Sequence, residues 1–165
     1  MTVLGIDPGL ERVGYGVVRR EGSRIAALDF GLVRTRPGPL PDRLAVIFES
    51  VERLLEGHGV SLMACERLFF GKNQTTGIDV AKAAGVVQLA AARRGVEVVE
   101  LAPAEVKLAV VGQGSADKRQ VQYMVARLLG LAEPPRPDDV ADALAVGIAA
   151  ALKGPTPPSA RPGSP

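Results

Sequence analysis

Two acidic residues stand at the ends of apolar runs: Asp7 after Val3-Leu4-Gly5-Ile6, and Glu66 after Leu62-Met63-Ala64-Cys65. Neither position is typical of a solvated surface charge. A third acidic group lies in Asp138-Asp139-Val140-Ala141-Asp142. There Asp142 follows Asp138 by four residues and Asp139 by three, and either spacing puts two carboxylates on one helical face. The chain beyond is almost wholly apolar, so this reads as a buried helix whose charged first turn is the exception. Carboxylates gathered in one place repel, by roughly 4 kcal/mol per pair at 4 Å and an effective dielectric near 20. Divalent cations would cancel that repulsion, and oxygen donors with no His or Cys beside them favour Mg²⁺ or Mn²⁺ over Zn²⁺. Two such ions about 3.5 to 4 Å apart stabilise the attacking and leaving oxygens of an in-line phosphodiester displacement. The plainer alternative is that Asp138 or Asp139 caps its helix and the other acids are ordinary strand-end charges.

The elements that must position these residues follow from periodicity. Thr2 to Asp7 predicts a strand punctuated by the Pro8-Gly9 turn. Val13 to Arg19 and Ile25 to Val33 predict two more, joined through Glu21-Gly22-Ser23 into an antiparallel meander. Apolar residues at 40, 44, 47, 48, 51, 54 and 55 draw one helical stripe from Leu40 to Glu56, closed by Gly57 and Gly59. Val60 to Cys65 predicts a short strand, Ala-rich Lys72 to Arg94 a long helix, and Val96 to Leu101 a fifth strand. Pro103 to Val110, Asp117 to Leu129 and Pro137 to Leu152 predict three further helices, the last opened by proline. The order implies an α/β fold, a five-stranded mixed β-sheet flanked by α-helices, with strand-end side chains collected at one sheet edge. Residues 1–153 form the expected domain; 154–165, almost all Pro, Gly, Ser and Thr, are too poor in apolar side chains to offset ordering entropy.

Composition bounds the partners. A chain of 165 residues can build one proper core. It has no apolar run long enough to span a bilayer and no basic-then-apolar start, so a cytoplasmic location is expected. The single cysteine, Cys65, rules out a disulfide framework and a thiolate metal site, and reads as core filler. A formal charge of +2 means that any nucleic-acid surface must come from locally grouped Lys and Arg.

With these residues in place, the chain over about 1 to 152 closely resembles the RuvC family of Holliday junction resolvases. The resemblance is carried by Gly5-Ile6-Asp7-Pro8-Gly9, Gly14-Tyr15-Gly16-Val17, Glu66 followed by Phe69 and Lys72-Asn73, Val106-Lys107, Val111-Gly112 with Gly114-Ser115, Lys118, Gln120-Val121-Gln122, and Asp139-Val140-Ala141-Asp142-Ala143-Leu144-Ala145. It implies an RNase H-like fold and a Mg²⁺-dependent endonuclease, two ions per site with Mn²⁺ able to substitute. Asp7, Glu66, Asp139 and Asp142 fall on the family's acidic positions, which selects Asp139 over Asp138. It further implies a homodimer that nicks two strands symmetrically about a four-way DNA junction in recombination and repair, and cooperation with the RuvA and RuvB branch-migration proteins. Lys107 and Lys118 match basic positions near the scissile phosphate, and Phe69 a DNA-contacting one.

Other residues are weighed against blander roles. Phe69 could stack on an unpaired base, whereas Phe70 is expected to pack in the core. Arg67, Lys72, Lys82, Arg93, Arg94, Arg119 and Arg136 are plausible phosphate contacts, each individually no more than a surface charge. Ala81, Ala84, Gly85, Gln88, Ala91 and Ala92 would let another helix approach closely, and the resemblance points to a subunit interface there. His58, between two glycines, reads as a turn residue. Three rival functions compete. An actin-like ATPase fragment would need a second half and an adenosine site; an inactive junction-binding module should lack an acid; a nuclease of RNA hybrids shares the metal chemistry and differs in substrate geometry.

Overall fold

The computed structural model describes residues 1–68 and 74–154, with side chains 74–76 excepted. Five strands form one sheet in the order β3-β2-β1-β4-β5. They are β1 (Thr2–Asp7), β2 (Arg12–Glu21), β3 (Arg24–Arg34), β4 (Leu62–Glu66) and β5 (Glu97–Leu101). β1, β2 and β3 run as the expected antiparallel meander, while β4 lies parallel to β1 and β5 parallel to β4. The fold is therefore the expected mixed α/β arrangement. Because β1 and β4 are parallel neighbours, Asp7 and Glu66 end their strands at the same edge.

Helices cover both faces. α1 (Leu40–His58) and α2 (Gln74–Arg93) pack on one, burying Ile47, Val51, Leu55, Ala83, Val87, Ala90 and Ala91 against Leu4, Ile6, Val17 and Met63. α5 (Asp138–Lys153) lies on the other, flanked by α3 (Pro103–Val111) and α4 (Lys118–Leu129). Cys65 is buried in the α1–α2 core, and burial pushes its thiol up to about 12, as inert filler should be. α1 runs through Gly57 and stops at Gly59, whose φ of 58° suits a residue without a Cβ. Gly57 therefore belongs to the helix it was expected to end. His58 is the last residue of α1 rather than a free turn residue, and its Nε2 meets Asp29 Oδ2 at 3.2 Å. Asp117 caps α4: its side chain accepts from the Gln120 amide, and the Gln120 side chain accepts from the Asp117 amide.

α5 approaches the sheet unusually closely. A Cβ on Gly5 would lie 2.1 Å from the Ala143 carbonyl oxygen, and one on Gly14 would lie 2.0 Å from that of Asp139. No side chain fits at either point, so helix backbone rests directly on strand backbone. The run Val140 to Ala151, buried except at Asp142, follows, because a helix pressed on a sheet and flanked by two others has almost no free side.

Candidate metal centre

The four acids converge on the edge where β1 and β4 end and α5 begins. Asp7 lies opposite Gly14 in the β1–β2 register, and Gly14 is the glycine against which the Asp139 backbone rests. Asp139 is thus set beside Asp7 by backbone contact, and Asp142 follows one turn along. Burial, then the charges of Asp142, Asp139 and Glu66, push the Asp7 carboxyl up to about 7. Burial and Asp142 raise Glu66, and burial also raises Asp142. Each carboxylate disfavours the ionisation of its neighbours, as expected where negative charge is concentrated out of water.

Two side-chain cations sit where that charge is densest. Lys118 Nζ lies 3.0 Å from Asp142 Oδ2 and 3.2 Å from Asp138 Oδ2. Burial alone would lower its pKa, but hydrogen bonding and charge from Asp142 and Asp138 hold it above the ordinary lysine value. Arg12 Nε lies 3.7 Å from Asp139 Oδ2. Lys107 lines, with Glu66, Lys118, Asp142 and an apolar floor of Val106, Val121 and Val146, a cleft of about 300 Å³ between α3, α4 and α5.

Among the described residues, no three acidic, His or Cys side chains are placed to hold one metal ion as they stand. Asp142 is drawn to Lys118 and Asp139 to Arg12, so these two carboxylates are partnered by protein cations and the four are not gathered on a point. The donor set nevertheless fits a hard divalent cation: four carboxylates, no nitrogen or sulfur donor among them, and mutual repulsion that only added positive charge removes. The capping alternative fails, since the N-cap of α5 is Pro137 and no side chain caps it. Asp138 is instead exposed, pairing with Lys118 and accepting from Gln122 Nε2 at 3.0 Å, contacts that hold its carboxyl below the usual range.

The remaining expectations divide. Arg67 follows β4, and its amide extends the β4–β5 pairing to the Leu101 oxygen; its side chain is exposed near the same edge. Arg119 is exposed on the first turn of α4, with no ion pair among the described residues. Phe69, Phe70 and Lys72 lie outside the described residues. Of the small residues expected at a subunit interface, Ala84 and Ala91 are buried within the chain, whereas Gly85 and Ala92 are exposed beside Ile78 and Leu89. Arg12 went unnoticed in the sequence. It opens β2 with no local pattern to mark it, and only the pairing of β2 with β1 and the approach of α5 bring it to Asp139.

Comparison with known proteins gives the family. The family model described as "Crossover junction endodeoxyribonuclease RuvC" matches residues 3–150. A protein of that name from Brevibacillus brevis is 50% identical over 149 residues, 90% of each chain. Thermus thermophilus RuvC superposes with a TM-score of 0.86 at 38% identity, covering 92% of this chain and 94% of that one. A structure described as T. thermophilus RuvC in complex with Holliday junction substrate gives 0.88 at 37% identity, covering 93% and 94%. A match of this extent, over the segment that carries all four acids, places the chain in the RuvC family of crossover junction endodeoxyribonucleases.

Proposed function

We propose that this chain is a divalent-metal-dependent endonuclease that resolves four-way DNA junctions by hydrolysing one phosphodiester bond in each of two symmetry-related strands. One observation carries the reading: Asp7, Glu66, Asp139 and Asp142 lie at one sheet edge, where burial and then the charge of the other three push Asp7 up to about 7. Mg²⁺ or Mn²⁺, two per site, would supply charge to the attacking and leaving oxygens of the phosphoryl group. The chain's own residues do the rest. The four carboxylates would hold the cations, while Lys118 and Lys107, which line one cleft with Glu66 and Asp142, would meet the phosphate of the strand to be cut. With Asp142 holding a cation, Lys118, which pairs with Asp142 here, would be free to meet that phosphate. Phe69, Arg67, Lys72 and Arg119 are proposed as further DNA contacts.

Two cuts need two sites, and one chain of this size carries one carboxylate cluster. A two-fold homodimer supplies the second and matches the symmetry of a four-way junction. The exposed stripe Ile78, Gly85, Leu89 and Ala92 on α2 supports a helix-to-helix interface there. RuvA and RuvB are the proposed cellular partners, the cytoplasm the proposed location, and residues 1–153 the catalytic unit, with 154–165 outside it.

Comparing cleavage of a four-way junction, a plain duplex and an RNA–DNA hybrid tests the reading. Paired nicks on the junction alone, abolished by EDTA and restored by Mg²⁺ or Mn²⁺, are expected; preference for the hybrid would overturn it. A mixed dimer of wild-type and Asp7→Asn subunits should convert a supercoiled cruciform plasmid to nicked circles. Efficient linearisation in one binding event would show that one site makes both cuts.

A further inference from the structure

Beyond the carboxylate cluster, Arg12 begins a second arrangement. The β2–β3 register sets Arg12 directly opposite Arg34. Like charges opposed across an antiparallel pair are unfavourable, and nothing in the sheet requires them there. Arg36 follows two residues on, in the exposed turn Arg36-Pro37-Gly38-Pro39 that leads into α1. Arg43, on the first turn of that helix, is held in place: its Nε donates to Thr35 Oγ1 at 2.9 Å, and Thr35 Oγ1 donates to the Leu10 oxygen at 2.6 Å. The terminal nitrogens of Arg43 are left to other partners while the plane of its guanidinium is set by the hydroxyl behind it.

Two clefts share Arg43. One, of about 540 Å³, runs from Asp139 and Arg12 along the Gly9-Leu10-Glu11 backbone to Arg43, with Asp79 on its far wall. The other, of about 350 Å³, continues past Arg43 to Arg34 and Arg36. Acidic side chains are present: Glu11 and Asp42 line these clefts, and Asp79 is already paired with Lys82 at 3.5 Å. Even so, among the described residues no carboxylate comes within 4 Å of Arg34, Arg36 or Arg43, although both signs are at hand. Three guanidiniums that meet no carboxylate among the described residues, spread over two clefts that share Arg43 and reach Asp139, suit a string of regularly spaced anions better than a single ion.

We propose that Arg43, Arg34 and Arg36 form a phosphate track along which the backbone of a DNA arm leaves the carboxylate site, with Arg43 as its fixed clamp and Arg12 as the link to Asp139. The proposal rests on the nuclease reading above, because the track acquires its direction from the site at which it starts. It assigns a DNA-contacting role to a surface formed by β3 and α1, far in sequence from Glu66 and the lysines of α3 and α4.

The test is the salt dependence of four-way junction binding, measured by gel shift without divalent metal for wild type and the double variant Arg34→Ala/Arg36→Ala. Both side chains are exposed, so the melting temperature should not change. Each lost phosphate contact lowers the slope of log affinity against log salt by roughly 0.9, so the double variant should show a slope shallower by about 1.8. Arg43→Lys keeps the charge but has no planar fork left to offer a phosphate when its one nitrogen bonds Thr35, and should release junction faster than wild type, while Thr35→Val should imitate it. An unchanged slope in the double variant, with wild-type dissociation for Arg43→Lys, would overturn the track. Wild-type nicking of the junction in Mg²⁺, run alongside, reports on the nuclease reading separately: a chain that nicks normally and shows no slope change loses the track alone.

Discussion

The two faces of the sheet are built on different principles. On the α1–α2 face the contact is made by side chains: Ile47, Val51, Leu55 and Val87 interdigitate with Leu4, Ile6, Val17 and Met63. Around Gly5 and Gly14 on the α5 face, the contact is backbone on backbone. Side-chain packing tolerates adjustment, because a neighbour can change rotamer to fill or vacate space. A backbone contact has no such freedom. The face that must set Asp139 and Asp142 beside Asp7 is thus the one whose geometry is least adjustable, and the other face provides stability by ordinary burial.

That contrast is broken most severely by adding a methyl group. Gly14→Ala places a carbon 2.0 Å from the Asp139 carbonyl oxygen, so α5 must move off the sheet. A loss of more than about 3 kcal/mol is expected from urea unfolding, with loss of nicking. The corresponding insult on the other face, Ile47→Val, should cost about 0.5–1.5 kcal/mol and leave nicking intact, although Ile47 is fully buried. Equal losses at the two positions would mean that the glycine contact has no special status.

A second difference is electrostatic. The α5 face ends in charge that folding concentrates. Asp7 releases its proton near pH 4 in an unfolded chain and at about 7 in the folded one, so the folded state holds the proton more tightly. Its ionisation therefore adds no penalty below about pH 4, and the penalty accumulates as pH rises to about 7, at up to about 1.4 kcal/mol per unit. Glu66 and Asp142 are raised too and reinforce the trend. Melting temperature of the metal-free protein should fall between pH 4 and pH 7. Asp7→Asn should melt above wild type at pH 8 and show little difference at pH 4; added Mg²⁺ should narrow the gap at pH 8. A wild-type melting temperature that rises across this window would contradict the account.

The smallest effects belong outside both faces. Deleting 155–165 should change neither melting nor nicking. The end of α5 is already secured by Arg20 Nη1 donating to the Ala151 and Leu152 oxygens and by Lys153 pairing with Glu105 at 3.1 Å. Differential scanning calorimetry and a plasmid nicking assay on the shortened chain check this.

Much of the architecture was legible because it depends on local pattern. The apolar stripe of α1, the β-rich run of β2 and the almost wholly apolar run of α5 each announced their element to within a few residues. The acids were legible for the same reason, as charges in places where apolar neighbours made charge unexpected. What could not be read depends on register. Arg12 is separated from Asp139 by most of the chain, and Gly14 looks like any strand glycine until α5 is laid over it. The small residues of α2 divide, because Ala84 and Ala91 turn toward the chain's own core while Gly85 and Ala92 stay outside. Helical spacing alone does not say which side of a long, Ala-rich helix its own sheet takes.

The central claim is that the four carboxylates act as one metal centre that cuts DNA, while binding is carried by basic residues elsewhere. Asp7→Asn keeps the shape of the side chain and removes a charge disfavoured by burial and by its neighbours. Gel-shift and nicking measurements on a single preparation of wild type and this variant, with a four-way junction in Mg²⁺, separate the two functions. The account predicts junction binding within a few-fold of wild type and nicking lower by at least about a hundredfold, a loss of roughly 2.7 kcal/mol or more of transition-state stabilisation. Wild-type nicking by Asp7→Asn would contradict it.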